Sequence, residues 1–141
     1  MMRPSWIAVR AAALLGALAT AVSTAWAAET QITVWNKTTD AAITAEINGT
    51  SLGSISPGLF YRSTQPAVGS DVQGTVMYDV RLTKSGSTAG CRAQLFVNVT
   101  RGLTVGCTIE PATSEGGANC AARHWYYMTA TACAAEVTIQ D

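Results

Sequence analysis

From Gln31 onward the chain alternates apolar and polar positions with a period of two, in short runs punctuated by Gly, Asn, Ser and Pro. That period sends successive side chains to opposite faces of an extended strand, and no stretch carries the 3.6-residue spacing of an amphipathic helix. Ile32 and Val34 open a first strand, which ends at the turn-like cluster Asn36 to Asp40. Ile43, Ala45 and Ile47 share one face of a second strand, and Asn48-Gly49 folds it back into Leu52 to Ile55, because both turn positions tolerate positive φ. Pro57-Gly58 stops that return strand, Leu59 to Thr64 forms another short one, and Gln65 to Gly74 reads as a loop.

The clearest alternation follows. Val76, Tyr78, Val80 and Leu82 fall on one face, with Met77, Asp79, Arg81 and Thr83 on the other, the pattern of a half-buried antiparallel strand. After a Ser/Gly loop from Lys84 to Gly90, Cys91, Ala93, Leu95, Val97 and Val99 point inward. Arg101-Gly102 turns the chain into a strand expected to bury Leu103, Val105, Cys107 and Ile109. Glu110 to Asn119 reads as a longer loop, and Ala121 to Ala130 and Ala134 to Gln140 supply the last strands. Eight or so short strands with hairpin connections and no crossover helix predict an all-β fold, an antiparallel β-sandwich with a small barrel as the alternative.

The first 27 residues stand apart. Arg3 and Arg10 precede a small, apolar run from Ala11 to Val22, and Ala25-Trp26-Ala27 then supplies an A-x-A cleavage pattern. Residues 1–27 are therefore expected to be a cleaved signal peptide and 28–141 a single exported domain, periplasmic or secreted, without a membrane span. Four cysteines, Cys91, Cys107, Cys120 and Cys133, follow the leader, and an even count in an exported domain predicts two disulfides. A tight Arg101-Gly102 hairpin sets Cys107 opposite Phe96, roughly 17 Å along the strand from Cys91 and too far for a bond. A second hairpin about Glu110 to Asn119 brings Cys107 opposite Cys120, which leaves Cys91 with Cys133.

Composition narrows the function by exclusion. Outside the leader the bases are Lys37, Arg62, Arg81, Lys84, Arg92, Arg101 and Arg123, scattered among nine acids, so no basic cluster suits a nucleic-acid backbone. His124 is the only histidine and has no nucleophile elbow beside it, which speaks against a Ser/His hydrolase. His124 and Met128 lie about 13 Å apart on a strand, and a copper centre needs a second His and a free Cys, so no metal or cofactor is expected. The Gly-rich segments lack the Lys or helix of a phosphate cradle. Asn36, Asn48 and Asn98 head Asn-x-Thr sequons, which matter only in a glycosylating host.

One segment carries candidate recognition chemistry. If Cys133, Ala135, Val137 and Ile139 face inward and residue parity carries across the last turn, Trp125 and Tyr127 join the core. His124, Tyr126 and Met128 then line an outer face beside Arg123, rigid aromatic area suited to a partner or a sugar. The sequence reading is thus an exported, non-enzymatic module that binds a protein or an envelope or extracellular ligand through Arg123, His124, Tyr126 and Met128. Its alternatives are an extracellular hydrolase using two of Asp71, Asp79, Glu110 and Glu115, or a surface structural subunit, for which Gln31 to Asn36 is too short and too close to the cleavage site to serve as a free donor strand.

Overall fold

The computed structural model describes residues 29–66 and 68–141. The expected leader lies outside them. The described chain forms ten strands and no helix: β1 Thr30–Lys37, β2 Ile43–Ile47, β3 Thr50–Ile55, β4 Phe60–Gln65, β5 Gly74–Lys84, β6 Gly90–Thr100, β7 Leu103–Ile109, β8 Thr113–Glu115, β9 Asn119–Tyr127 and β10 Ala132–Gln140. They build a sandwich of two sheets and do not close into a barrel. One sheet runs β4-β1-β10-β9, the other β3-β2-β5-β6-β7 with β8 pairing to β6. All pairs are antiparallel except β1 with β10, which run parallel from Thr30 opposite Cys133 to Lys37 opposite Gln140. The two parallel strands are joined through the whole of the second sheet, the long connection that parallel pairing requires.

The inward sets read from alternation fill the space between the sheets. Ile32 and Val34 of β1, Val80 and Leu82 of β5, Leu95 and Val97 of β6, and Val137 and Ile139 of β10 are all essentially inaccessible. Asn48 and Gly49 both take positive φ, 51° and 79°, the conformation of a tight two-residue hairpin. Gly102 combines a φ of 78° with close approach, because a β-carbon there would sit 2.7 Å from the Ser70 backbone. Its N–H donates to the Val72 carbonyl at 3.0 Å, pinning residues 68–73 onto the β6–β7 turn.

One polar group is as buried as any of these. Asn36 has the same parity as Ile32 and Val34, and its Nδ2 donates to the carbonyls of Ala41 and Ile55, both at 2.9 Å. Its Oδ1 accepts from the Thr38 amide at 3.0 Å and the Thr38 hydroxyl at 2.6 Å. The side chain therefore replaces the ladder where the chain leaves one sheet for the other, and every bond it can make is made. Asn36 heads a sequon that is closed inside the fold, whereas Asn48 and Asn98 are exposed.

Three expectations from the sequence are corrected. The disulfides are Cys91–Cys120 and Cys107–Cys133, with Cα atoms 5.8 and 6.2 Å apart, not Cys107–Cys120 and Cys91–Cys133. The expected pairing assumed that the strands flanking residues 110–119 form a hairpin. Instead β7 pairs with β6, β9 pairs with β10 in the opposite sheet, and the segment between them crosses over, contributing β8 on the way. Both disulfides consequently bridge the sheets, β6 to β9 and β7 to β10.

The second correction concerns β7. Leu103 and Val105 are exposed while Thr104 is buried. The β6–β7 register slips between Asn98 and Val99, where Gly106 and Thr104 are the successive partners and Val105 is extra. One extra residue inverts which side chains face inward, so Cys107 and Ile109 keep their expected face and Leu103 and Val105 lose theirs.

The third is the orientation of β9. Cys133 lies opposite Tyr126 and Ala135 opposite His124. Four residues, Met128 to Thr131, separate the two strands, so facing partners differ in parity. The inward set on β9 is Cys120, Ala122, His124 and Tyr126, and Trp125 and Tyr127 point away from the other sheet.

Candidate functional site

The β9 inversion divides the predicted recognition residues. Tyr126 reaches across the open side of the sandwich and donates its hydroxyl to the Thr104 carbonyl at 2.9 Å. His124 Nδ1 accepts the Ile109 N–H at 3.2 Å. Both contacts fall on β7, the edge strand of the second sheet, whose outer backbone groups would otherwise be free to pair with another chain. The two side chains shield that edge. Met128 stands in the β9–β10 turn, 77% exposed, and Arg123 alone of the four lies on the outer face of the four-stranded sheet.

That outer face is the most chemically distinctive surface among the described residues. Parity places Gln31, Thr33, Trp35 and Lys37 on it from β1, Phe60, Arg62 and Thr64 from β4, Ala134, Glu136, Thr138 and Gln140 from β10, and Ala121, Arg123, Trp125 and Tyr127 from β9. One row across the four strands reads Arg62, Thr33, Glu136, Arg123. The Arg62 Nε donates to Thr33 Oγ1 at 3.3 Å, and Arg123 bonds Glu136 at 3.0 Å. Trp35 and Phe60 lie against each other with ring centroids 4.5 Å apart. Each cation rests near an aromatic ring: Lys37 at 5.4 Å from Trp35, Arg62 at 5.9 Å from Phe60 and Arg123 at 4.9 Å from Trp125. Such contacts hold long side chains against rigid apolar surface while leaving their donors in water.

Small residues hollow this face on either side of the Arg123–Glu136 pair. A depression of about 300 Å³ is lined by Gln31, Thr33, Arg62, Trp125, Tyr127 and Glu136 over a floor of Ala134 and Ala135. The other, about 220 Å³, lies between Lys37, Arg123, Thr138 and Gln140 over Ala121 and Ala122. Arg123 and Glu136 form the ridge between them, and the two hollows make one interrupted trough. Trp125 and Tyr127 wall the first hollow, no aromatic ring lines the second, and the only aliphatic side chains in either are alanines.

The opposite outer face is less developed. Asp79 holds Arg92 through bonds of 3.0 and 3.3 Å, and the Asp79 carboxylate holds the Arg92 guanidinium more firmly protonated than usual. A shallow hollow of about 140 Å³ contains Arg92, Gln94 and Glu110. Glu110 is the one carboxylate of Asp71, Asp79, Glu110 and Glu115 that lines it. No group of three or more His, Cys, Asp or Glu residues suited to a metal occurs among the described residues. No described helix is long and apolar enough to cross a membrane.

No protein-family model, curated protein or solved structure matches this chain. Trp35, Lys37, Phe60, Arg62, Trp125 and Tyr127 were not among the sequence-derived recognition residues. The signal for Trp35 and Lys37 was present, since both have the parity opposite to Ile32 and Val34. Their proximity to Arg62 and Trp125 depends on the β4-β1-β10-β9 order, which no local pattern encodes.

Proposed function

We propose that this protein is an exported, non-enzymatic binding module that presents the outer face of its four-stranded sheet to an envelope or extracellular ligand. The observation that carries the reading is the composition of that face. Four aromatic rings and three cations share a solvent-facing sheet surface, which the packing of the domain does not require. Rigid rings give contact area at little conformational cost, and the sandwich behind them, closed by two inter-sheet disulfides, holds them in place before a ligand arrives. The disulfides fit an oxidising extracellular compartment, and the Arg3 to Ala27 leader pattern supplies the route there, to the periplasm or the medium.

The test places a photoreactive amino acid at Gln31, inside the trough, or at Met77, exposed on the other sheet, in cells expressing the full chain. Crosslinking from position 31 to a discrete extracellular or envelope species, weakened by Trp125→Ala and absent from position 77, is expected. Equal labelling from both positions, or labelling from position 77 alone, would move the binding surface elsewhere.

A further inference from the structure

Resting on that reading of the face, we infer that the trough binds a carboxylate-bearing polysaccharide, a polyuronate, with sugar rings against Trp125 and Tyr127 and carboxylates on Arg62, Arg123 and Lys37. The first argument is charge. Outside the leader the chain has more acids than bases, yet this face gathers Lys37, Arg62 and Arg123 around a single interior acid, Glu136. The pair with Glu136 neutralises Arg123 in part, while Lys37 and Arg62 have no carboxylate partner within salt-bridge distance among the described residues. An anionic ligand is thus complementary to a face whose charge opposes that of the domain.

The second argument is the kind of donor and its spacing. Arg62 spends its Nε on Thr33 and keeps its terminal amino groups for a ligand, a geometry that matches a carboxylate. The cations are set apart: Arg62 and Arg123 stand in one row at opposite sides of the sheet, about 14 Å apart across three strand spacings, and Lys37 lines the second hollow. Separated single charges suit a polymer bearing one carboxylate per ring better than a concentrated polyanionic group.

The third argument separates a polysaccharide from a protein. Protein interfaces anchor on Trp, Tyr and Arg clustered in a desolvated pocket at the centre of the patch. This trough offers alanine floors with the Gln31 and Gln140 amides at its rim, and its large apolar groups are the Trp125 and Tyr127 rings at the margin. A ligand with hydroxyls on every ring and an apolar ring face satisfies both features. A chain lying on the face occupies both hollows by passing over the Arg123–Glu136 ridge between them.

The test is isothermal titration of the purified protein with polygalacturonate, alginate and polyglucuronate oligosaccharides, each beside its methyl-esterified form. At least one polyuronate should bind, esterification should weaken it about tenfold or more, and raising the salt should weaken the acid form selectively. Arg62→Gln should reproduce the effect of esterification, and Trp125→Ala should reduce binding to both forms. Met77→Ala, on the other sheet, should change nothing, and unaltered melting temperatures verify that the variants fold. No binding to any of the three acids, or equal affinity for acid and ester, overturns the polyuronate assignment. If the crosslinks from position 31 persist in that event, the face remains the binding surface and only the ligand class fails; if both are absent, the reading of the face fails with it.

Discussion

Asn36 shows how much one side chain carries in this fold. Its amide joins three separate backbone segments at the crossover from β1 to β2, with no part of it accessible. Asn36→Ala strands the Ile55 carbonyl and the Thr38 N–H in the interior, while the Ala41 carbonyl keeps the Thr38 hydroxyl, and a loss of about 3 kcal/mol is expected in urea unfolding. Asn36→Asp should cost at least as much, since a carboxylate oxygen then faces the Ala41 and Ile55 carbonyls where an amide donated. A loss below about 0.5 kcal/mol for both variants would show that the network contributes little. Tyr78 is a second residue with a measurable signature. Burial pushes its phenol above the ordinary 10.0, with a hydrogen bond to Thr30 pulling weakly the other way. The neutral form is the one the fold favours, so its contribution is complete below pH 10 and is lost as the pH rises from there through the raised folded value. Stability should therefore fall across that alkaline window, and Tyr78→Phe should flatten the fall in a series of unfolding curves. An identical alkaline slope in Tyr78→Phe would assign the loss to other groups.

At the scale of elements, the instructive strands are β7 and β9. Alternation identified both as strands, and β5, β6 and β10 bury the sets it named, with Val76 of β5 covered only in part. It misassigned Leu103 and Val105 because a bulge adds one residue without leaving a local mark, and it inverted β9 because a four-residue turn exchanges parity between partners. A single-residue slip reverses every side chain that follows, so faces are the least legible part of a two-sided strand. The inversion has a consequence for stability. His124 and Tyr126 serve as shields for the β7 edge, so Tyr126→Phe, which removes only the bond to Thr104, should cost about 1 kcal/mol. In His124→Ala the Ile109 amide loses its acceptor, and its hydrogen exchange should accelerate relative to Leu95 or Val97 at the centre of the sheet. Unchanged exchange at Ile109 would mean that the histidine contact does not persist in solution. Because both residues are engaged with β7, neither substitution should alter ligand contact at Trp125.

For the whole molecule, the two bridges decide how rigidly one sheet sits on the other. Each closes a loop of similar length, 29 and 26 residues of separation, and the chain-entropy model assigns each about 3.5 kcal/mol. Replacing Cys107 and Cys133 together by alanine should lower the melting temperature by roughly 15 °C. Peptide mapping without reductant should link Cys91 to Cys120 and Cys107 to Cys133. The sequence signalled two disulfides by cysteine count and a sandwich by strand number, both properties of the chain as a list. Pairing depends on which sheet each strand joins, and the trough depends on β1 lying beside β10 with most of the chain between them. Those are long-range facts, and they separated Arg123 from the partners first assigned to it and placed it beside Trp125 and Glu136 instead.

The two tryptophans after the leader pattern, Trp35 and Trp125, both lie on the outer face of the four-stranded sheet. Intrinsic tryptophan emission of a chain of residues 28–141 consequently reports on that face and on no other. The most direct measurement is acrylamide quenching of this emission with and without the clarified extracellular polymer fraction of the producing culture. If the face is the binding surface, quenching should fall by about half or more on saturation, and Trp125→Ala should lose most of that protection along with affinity. Saturable binding that leaves quenching unchanged, or no binding to that fraction, would contradict the account.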